Sequence, residues 1–277
     1  MKPAPFAYHA VETAEEAIAM LAELGAEARV LAGGQSLVPM LNLRLARPSA
    51  LVDVGRVAAL SGISANGALR LGATARQVDA LRSPQVVERA PLLSDALHHV
   101  GHPATRSRGT LGGSIAHADP AAELPAVLLA LDGEAIVRSR DGERAIAAAS
   151  LFLGPFTTAL DDGDLLTELR LPAPPAGARH GFAEIARRRG DFALAGAAVV
   201  VAPGYARVAL FGVAPAAFRA EAAERALAQG AGAEEAAELA AGAAEPADDP
   251  HAPAEYRTKA ARVAALRALL AAGVARA

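Results

Sequence analysis

Two double-glycine segments are spaced to hold a phosphate-bearing ligand through backbone alone. The first is Leu31-Ala32-Gly33-Gly34-Gln35-Ser36-Leu37, and the second is Gly109-Thr110-Leu111-Gly112-Gly113-Ser114. Adjacent glycines accept positive φ and, lacking Cβ, let a ligand approach the chain closely. Consecutive N–H groups in such a turn form a concave anion site. Read as two turns, the segments predict a ligand with two phosphates, gripped from two sides without lysine. Neither segment is the Gly-x-Gly-x-x-Gly dinucleotide fingerprint, and no lysine follows the glycines as in a Walker loop.

Carboxylates and histidines surround the second segment. In His117-Ala118-Asp119-Pro120-Ala121-Ala122-Glu123, Asp119 and Glu123 are placed to accept hydrogen bonds from ribityl or ribose hydroxyls. The competing structural reading makes Asp119 a cap before Pro120 at the first helical position, with Glu123 in that first turn. His98 and His102 are four residues apart, a zinc spacing if a helix persists. Gly101 and Pro103 interrupt that helix, so a surface histidine, or a stacking or hydrogen-bonding role for His102 beside a cofactor, is favoured over a metal. Arg187-Arg188-Arg189-Gly190-Asp191-Phe192 either binds an anionic substrate or closes a salt-bridge network. The structural reading is favoured, because charge runs are usually solvated. No serine, histidine and aspartate order argues for nucleophilic catalysis, and no dedicated catalytic acid or base is expected.

Composition narrows the chemistry. The chain of 277 residues contains no cysteine, which excludes cysteine-ligated iron–sulfur clusters, thiolate zinc sites, disulfides and thiol catalysis on this chain. Redox chemistry here would belong to an organic cofactor or a partner subunit. A net charge of −3 with 53% hydrophobic and 21% charged residues fits a globular protein without a nucleic-acid stripe. No secretory h-region and no membrane-length apolar run is visible, so a cytoplasmic chain is expected.

The elements that must carry these residues follow from periodicity. Thr13-Ala14-Glu15-Glu16 is a capping box, with Ala17, Ile18, Leu21 and Leu24 at helical spacing and Gly25 as the stop. Strands are expected at 29–32 and 51–54, which puts the first glycine segment at a strand end inside a βα unit, a usual ligand position. Strands at 69–72, 134–138, 144–147 and 165–171 follow, with Asp141-Gly142 as a hairpin turn. Helices are expected at 75–81 and 91–100. Pro172–Gly177 reads as a linker. Beyond it come strands at 181–186, 195–201 and 207–213, then helices at 220–228, 233–241 and 254–272.

In combination the segments resemble one family. Leu31–Leu37, Leu43-Arg44-Leu45-Ala46-Arg47-Pro48, Gly101–Arg106, Arg108–Ser114, Ala116–Pro125, Arg187–Leu194 and Glu255-Tyr256-Arg257 occur in this order. The chain resembles the FAD-binding medium subunit of molybdenum hydroxylases, nearest to that of aerobic carbon monoxide dehydrogenases in the xanthine dehydrogenase family. One departure is Ser107, where many members carry Asn.

The resemblance implies an α+β fold: an FAD-binding fold of the vanillyl-alcohol-oxidase (PCMH) type made of two α/β subdomains, plus a C-terminal domain with a three-stranded antiparallel sheet and a helical bundle. The expected domains are 1–175, with subdomains at about 1–56 and 57–175, and 176–277 covering the flavin. It implies that Ala32, Gly33, Gly34, Gln35, Ser36 and Leu37, together with Thr110, Gly112, Gly113 and Ser114, grip the FAD pyrophosphate. Asp119 and Glu123 would lie along the ribityl chain, and His102, Leu166 and Phe192 would line the flavin. It further implies a large molybdenum-cofactor subunit and a small [2Fe–2S] subunit, in a heterotrimer that dimerises. Electrons would pass from the clusters to FAD and on to quinone, NAD or oxygen; a quinone acceptor would draw the complex to a membrane surface. The rival readings are a self-contained flavin oxidoreductase of the same fold and a non-catalytic assembly subunit. Gly33→Val or Gly113→Val is expected to give folded apoprotein, by blocking the pyrophosphate.

Overall fold

The structure is a computed structural model that describes residues 2–276. Its first layer is a small parallel sheet. Strands β1 (Ala7–Ala10), β2 (Ala28–Leu31) and β3 (Ala50–Asp53) stand in the order β1-β3-β2, with helices α1 (Ala14–Leu24) and α2 (Leu37–Asn42) on the connections. Parallel strands need crossover connections: α1 joins β1 to β2 on either side of β3, and α2 lies on the connection from β2 to its neighbour β3. Its capping box forms as expected: the Thr13 hydroxyl accepts from the Glu16 amide at 3.1 Å, and the Glu16 carboxylate accepts from the Thr13 amide at 3.2 Å. Ile18 and Leu21 are buried against β3, and burial of such side chains contributes about 1.5–3 kcal/mol each.

The second layer is an antiparallel sheet backed by short helices. Strands β4 (Ile63–Ser64) and β5 (Leu69–Gly72) precede α3 (Gln77–Arg82), α4 (Pro84–Arg89), α5 (Pro91–Leu97), α6 (Pro103–Arg108), α7 (Leu111–His117) and α8 (Glu123–Ala130). Next come β6 (Glu134–Ser139), β7 (Gly142–Ala147), β8 (Phe152–Gly154), β9 (Thr157–Thr158) and β10 (Leu165–Leu171). The sheet order is β4-β5-β10-β6-β7. The Asp141-Gly142 hairpin forms where expected, between β6 and β7. Every residue of α8 is buried, as suits the central helix of the core.

The C-terminal sheet contains β11 (Arg179–Ala186), β12 (Ala193–Ala202), β13 (Tyr205–Phe211) and β14 (Phe218–Arg219), antiparallel and in that order. It has four strands rather than the expected three, because two-residue β14 adds to β13. Helices α9 (Glu221–Ala228), α10 (Ala233–Gly242) and α11 (Ala254–Ala271) cover one face. Alanine dominates that contact: Ala260, Ala261, Ala264, Ala265 and Ala268 on α11 are all buried. Small side chains let α11 lie close to the sheet, and at Gly181 a Cβ would collide with the carbonyl of Ala268. The other face of the sheet, through Ala198, Val200 and Phe211, joins the core built on Leu111, Ile115 and Leu124. The Arg257 guanidinium, 9% exposed, ties the layers together by donating to the carbonyls of Leu194 (3.1 Å) and Gly212 (2.8 Å) and pairing with Asp249.

Candidate functional site

The first glycine segment is the connection from β2 into α2. Gly34 takes φ +72°, while Gly33 stays outside the positive-φ region. The backbone N–H groups of Gly33, Gly34, Gln35 and Ser36 have no acceptor among the described residues. The segment is open to solvent, with Gln35 and Ser36 exposed. Ser36 precedes α2 without a side-chain cap, and Gln35 turns its amide back to the Gly33 carbonyl at 3.2 Å. Four neighbouring donors without an acceptor among the described residues are the chemistry that an anion site requires.

The second segment is not a turn. Thr110 is the N-cap of α7, its hydroxyl accepting from the Gly113 amide at 3.1 Å, and both glycines lie inside the helix without positive φ. The donors expected to be free are taken: Leu111 N–H bonds Ala75 O (3.0 Å), Gly112 N–H bonds Ala73 O (2.9 Å) and Ser114 N–H bonds Thr110 O (3.3 Å). Gly112 is there for packing, since a Cβ would lie 2.7 Å from the Ala73 carbonyl oxygen. What remains for a ligand is the Thr110 amide, which has no acceptor among the described residues although Thr110 is buried, and the hydroxyls of Thr110 and Ser114. An amide buried without a partner is costly, and a bound anion would relieve it.

The two segments touch. The position of a Cβ on Gly33 lies 3.0 Å from Gly109 Cα and still nearer the Arg108 carbonyl oxygen, which the Arg76 guanidinium also holds. A side chain at Gly33 therefore strikes protein backbone before any ligand, and one at Gly113 meets the Thr110 hydroxyl at 2.5 Å. The expected reason for the valine variants is thereby corrected: the damage begins in the protein's own packing.

Glu123 is the first residue of α8, only 8% exposed, and its carboxyl finds no hydrogen-bond partner among the described residues beyond its own backbone amide. Burial pushes its carboxyl up to about 8; Glu184 and Asp119 add to the rise, while its own backbone amide and Arg106 oppose it. Asp119 is not a helix cap. It accepts from the Ala121 amide at 2.9 Å in a local turn, and the helix begins at Glu123 with Ala122 as N-cap, beyond Pro120. Ala118 just before it is held at φ +49°.

His102 precedes α6, exposed, and packs on the C-terminal domain: a Cβ on Gly190 would stand 2.6 Å from its Cε1. Helix α5 stops at Leu97 with His98 as its C-cap, and Gly101 takes φ +47°. No group of three or more potential metal ligands occurs among the described residues. The arginine run joins local networks, with Arg188 on Asp191 (3.1 Å) and Arg187 on His251 (3.0 Å). Phe192 is 71% exposed, and Leu166 is buried in β10 beside a bulge. Arg76 and Glu184, missed in the sequence, join this region, as do His99, from the histidine cluster, and Arg106, from the Gly101–Arg106 segment, neither of which carried an expected role at the site. The signal for Glu184 was its spacing from Phe182, which puts an acid on the core-facing side of a strand.

The family described as "FAD binding domain in molybdopterin dehydrogenase" matches residues 4–174, and "CO dehydrogenase flavoprotein C-terminal domain" matches 180–272. The carbon monoxide dehydrogenase medium chain of Hydrogenophaga pseudoflava is 39% identical over 98% of each chain. A solved structure of carbon monoxide dehydrogenase from that organism superposes with TM-score 0.93 at 39% identity over 99% of each chain. Quinoline 2-oxidoreductase from Pseudomonas putida 86 gives TM-score 0.91 at 38% identity over 99% of each chain. Among the described residues no helix is long and apolar enough to cross a membrane.

Proposed function

We propose a function on the premise that this chain belongs to the FAD-binding medium subunits of the molybdenum hydroxylases: it receives electrons from [2Fe–2S] clusters on a small partner subunit and delivers them to an external acceptor. The absence of cysteine in the chain supports this division of labour, since thiolate-held clusters need another subunit. The complex would also contain a large molybdenum-cofactor subunit and work in the cytoplasm.

The observation that carries the reading is the contact between the two glycine segments at Gly33 and Arg108–Gly109. It puts the free amides of Gly33–Ser36 on one wall and the Thr110 amide with the Thr110 and Ser114 hydroxyls on the other. These groups would hold the FAD pyrophosphate, with Ala32, Leu37, Gly112 and Gly113 shaping the seat. Glu123, neutral near physiological pH because of its burial, would hydrogen-bond ribityl hydroxyls as both donor and acceptor, with Asp119 behind it. His102, Leu166 and Phe192 would line the ring, and residues 176–277 would form its cover. When bound, FAD supplies the exchange between two-electron and one-electron chemistry. The chain itself contributes binding and orientation.

Carbon monoxide and quinoline appear in the names of relatives that superpose on this chain almost equally well. Substrate choice is therefore assigned to the molybdenum subunit. The test is to purify the complex through this chain, release its cofactor and quantify it. One FAD per chain, accompanied by subunits bearing iron–sulfur and molybdenum, supports the reading; a complex free of flavin overturns it.

A further inference from the structure

Strand β11 places Ala183 and Ile185 against the helical layer and Phe182 against the shared core. Glu184 alternates onto the side of Phe182, where an apolar residue would be ordinary. Its side chain is 4% exposed, and its Oε2 has no hydrogen-bond partner among the described residues. The facing groups do not neutralise it. His99 Nδ1 is 3.9 Å away, and burial, with Arg189 and His98, holds that imidazole below its ordinary range. Asp95, on α5, is engaged with His180 at 3.1 Å. From the start of α8 the neighbour is a second acid, Glu123, with Asp119 and Arg106 as the further charges around it. Burial pushes the Glu184 carboxyl up to about 7. A lone buried acid takes up a proton and thereby becomes a donor, which a carboxylate is not.

We propose that Glu184 is a further cofactor-contacting residue of the flavin cleft: from its seat between β11 and the start of α8, Oε2 offers an O–H to an acceptor atom of the bound FAD. The assignment rests on the FAD reading above. Because the ligand selects the protonated carboxyl, FAD affinity falls as pH rises. Once Glu184 ionises in the free chain, the Kd grows about tenfold per pH unit from this group.

The test is an FAD titration of the full chain, with the subunits that co-purify with it, followed by flavin fluorescence from about pH 6 to 8.5. Wild type, E184Q, E184L and E123Q are compared after melting curves establish that each is folded. Glutamine donates at every pH, so E184Q is expected to bind within about threefold of wild type at pH 6 and to lose one proton's worth of the pH slope. E184L lacks a donor, so its Kd is expected to rise about tenfold at pH 6. E123Q should keep the slope due to Glu184. Should E184L fail to fold, E184Q against wild type decides alone. FAD bound by wild type and E184Q with the same pH dependence overturns this proposal and leaves the FAD reading standing. A wild-type complex that takes up no FAD at any pH overturns both.

Discussion

Gly33→Ala tests whether the two glycine segments act as one clamp. Gly33 is outside the positive-φ region, so alanine brings no backbone strain of its own. Its Cβ would lie 3.0 Å from Gly109 Cα and 3.1 Å from the Arg108 carbonyl carbon, whereas carbon atoms rest at about 3.5–4.0 Å. The walls must part by roughly 0.5–1 Å. The Arg108 carbonyl cannot swing aside freely, because the Arg76 guanidinium donates to it. Such a shift takes a well-made N–H···O bond out of its good range, and a hydrogen bond to a charged group is worth about 1.5–3 kcal/mol. Losing one predicts a Kd for FAD raised about 10- to 100-fold. Overpacking alone should cost about 1–3 kcal/mol of stability. Gly142→Ala is the control: φ is +119° and nothing lies within 4 Å of the new Cβ, so it lowers stability by about 1 kcal/mol through backbone strain and leaves FAD binding unchanged. FAD titration and thermal melting, run on both variants, give the comparison. Wild-type affinity and wild-type melting in Gly33→Ala would refute the clamp.

Three further outcomes are expected. Thr110→Ala removes the N-cap of α7 and one seat hydroxyl; it should cost about 1 kcal/mol in chemical denaturation and weaken FAD binding, whereas Thr110→Ser, which keeps the hydroxyl, should do neither. Arg257→Met leaves the buried carbonyls of Leu194 and Gly212 without their donor and removes the partner of exposed Asp249, and should cost about 1–3 kcal/mol for each carbonyl by the same assay. For pH, the sign follows from Glu123: its carboxyl titrates at about 8 folded and near 4.5 unfolded. The folded state thus holds more protons between these values, and the stability Glu123 permits below pH 4.5 is lost as pH rises through 8. Glu123→Gln should therefore melt higher than wild type at pH 8, with the gap closing toward pH 4.5; an unchanged gap would contradict the neutral carboxyl.

The sequence was most legible where local signals and burial agree. The capping box at Thr13, the Asp141-Gly142 hairpin, and β5 and β10 with their alternating apolar residues could be placed from pattern alone. The α+β architecture followed from the resemblance. Elements of about one turn escaped: α2, α4 and α6 offer six residues each, too few for a helical period to repeat, and two-residue β14 exists through its pairing with β13. At the site, Gly-Gly marked both segments but not their conformations. Gly34 uses its freedom of φ, whereas Gly112 is small because Ala73 lies against it. That second reason is tertiary, and no reading of neighbours along the chain supplies it. Glu184 was hidden likewise, since its isolation depends on what α8 and the segment after α5 place opposite it.

The division of the hydrophobic cores sets how the protein should come apart. The core beneath α8 runs without a break from Leu71 and Leu111 into Ala198 and Phe211 of the C-terminal sheet, so these two layers should melt together. The parallel sheet has its own core, to which, among the described buried residues, the chain beyond Val54 adds Val57, Leu60 and Leu165. Its ties outward include exposed polar contacts, such as Arg138 to Glu15 at 2.8 Å. That sheet carries Gly33–Ser36, one wall of the clamp. It is the layer expected to open first in hydrogen exchange, a door whose latch is the ligand, and loading FAD should raise the protection of β2 and β3 before that of any other strand.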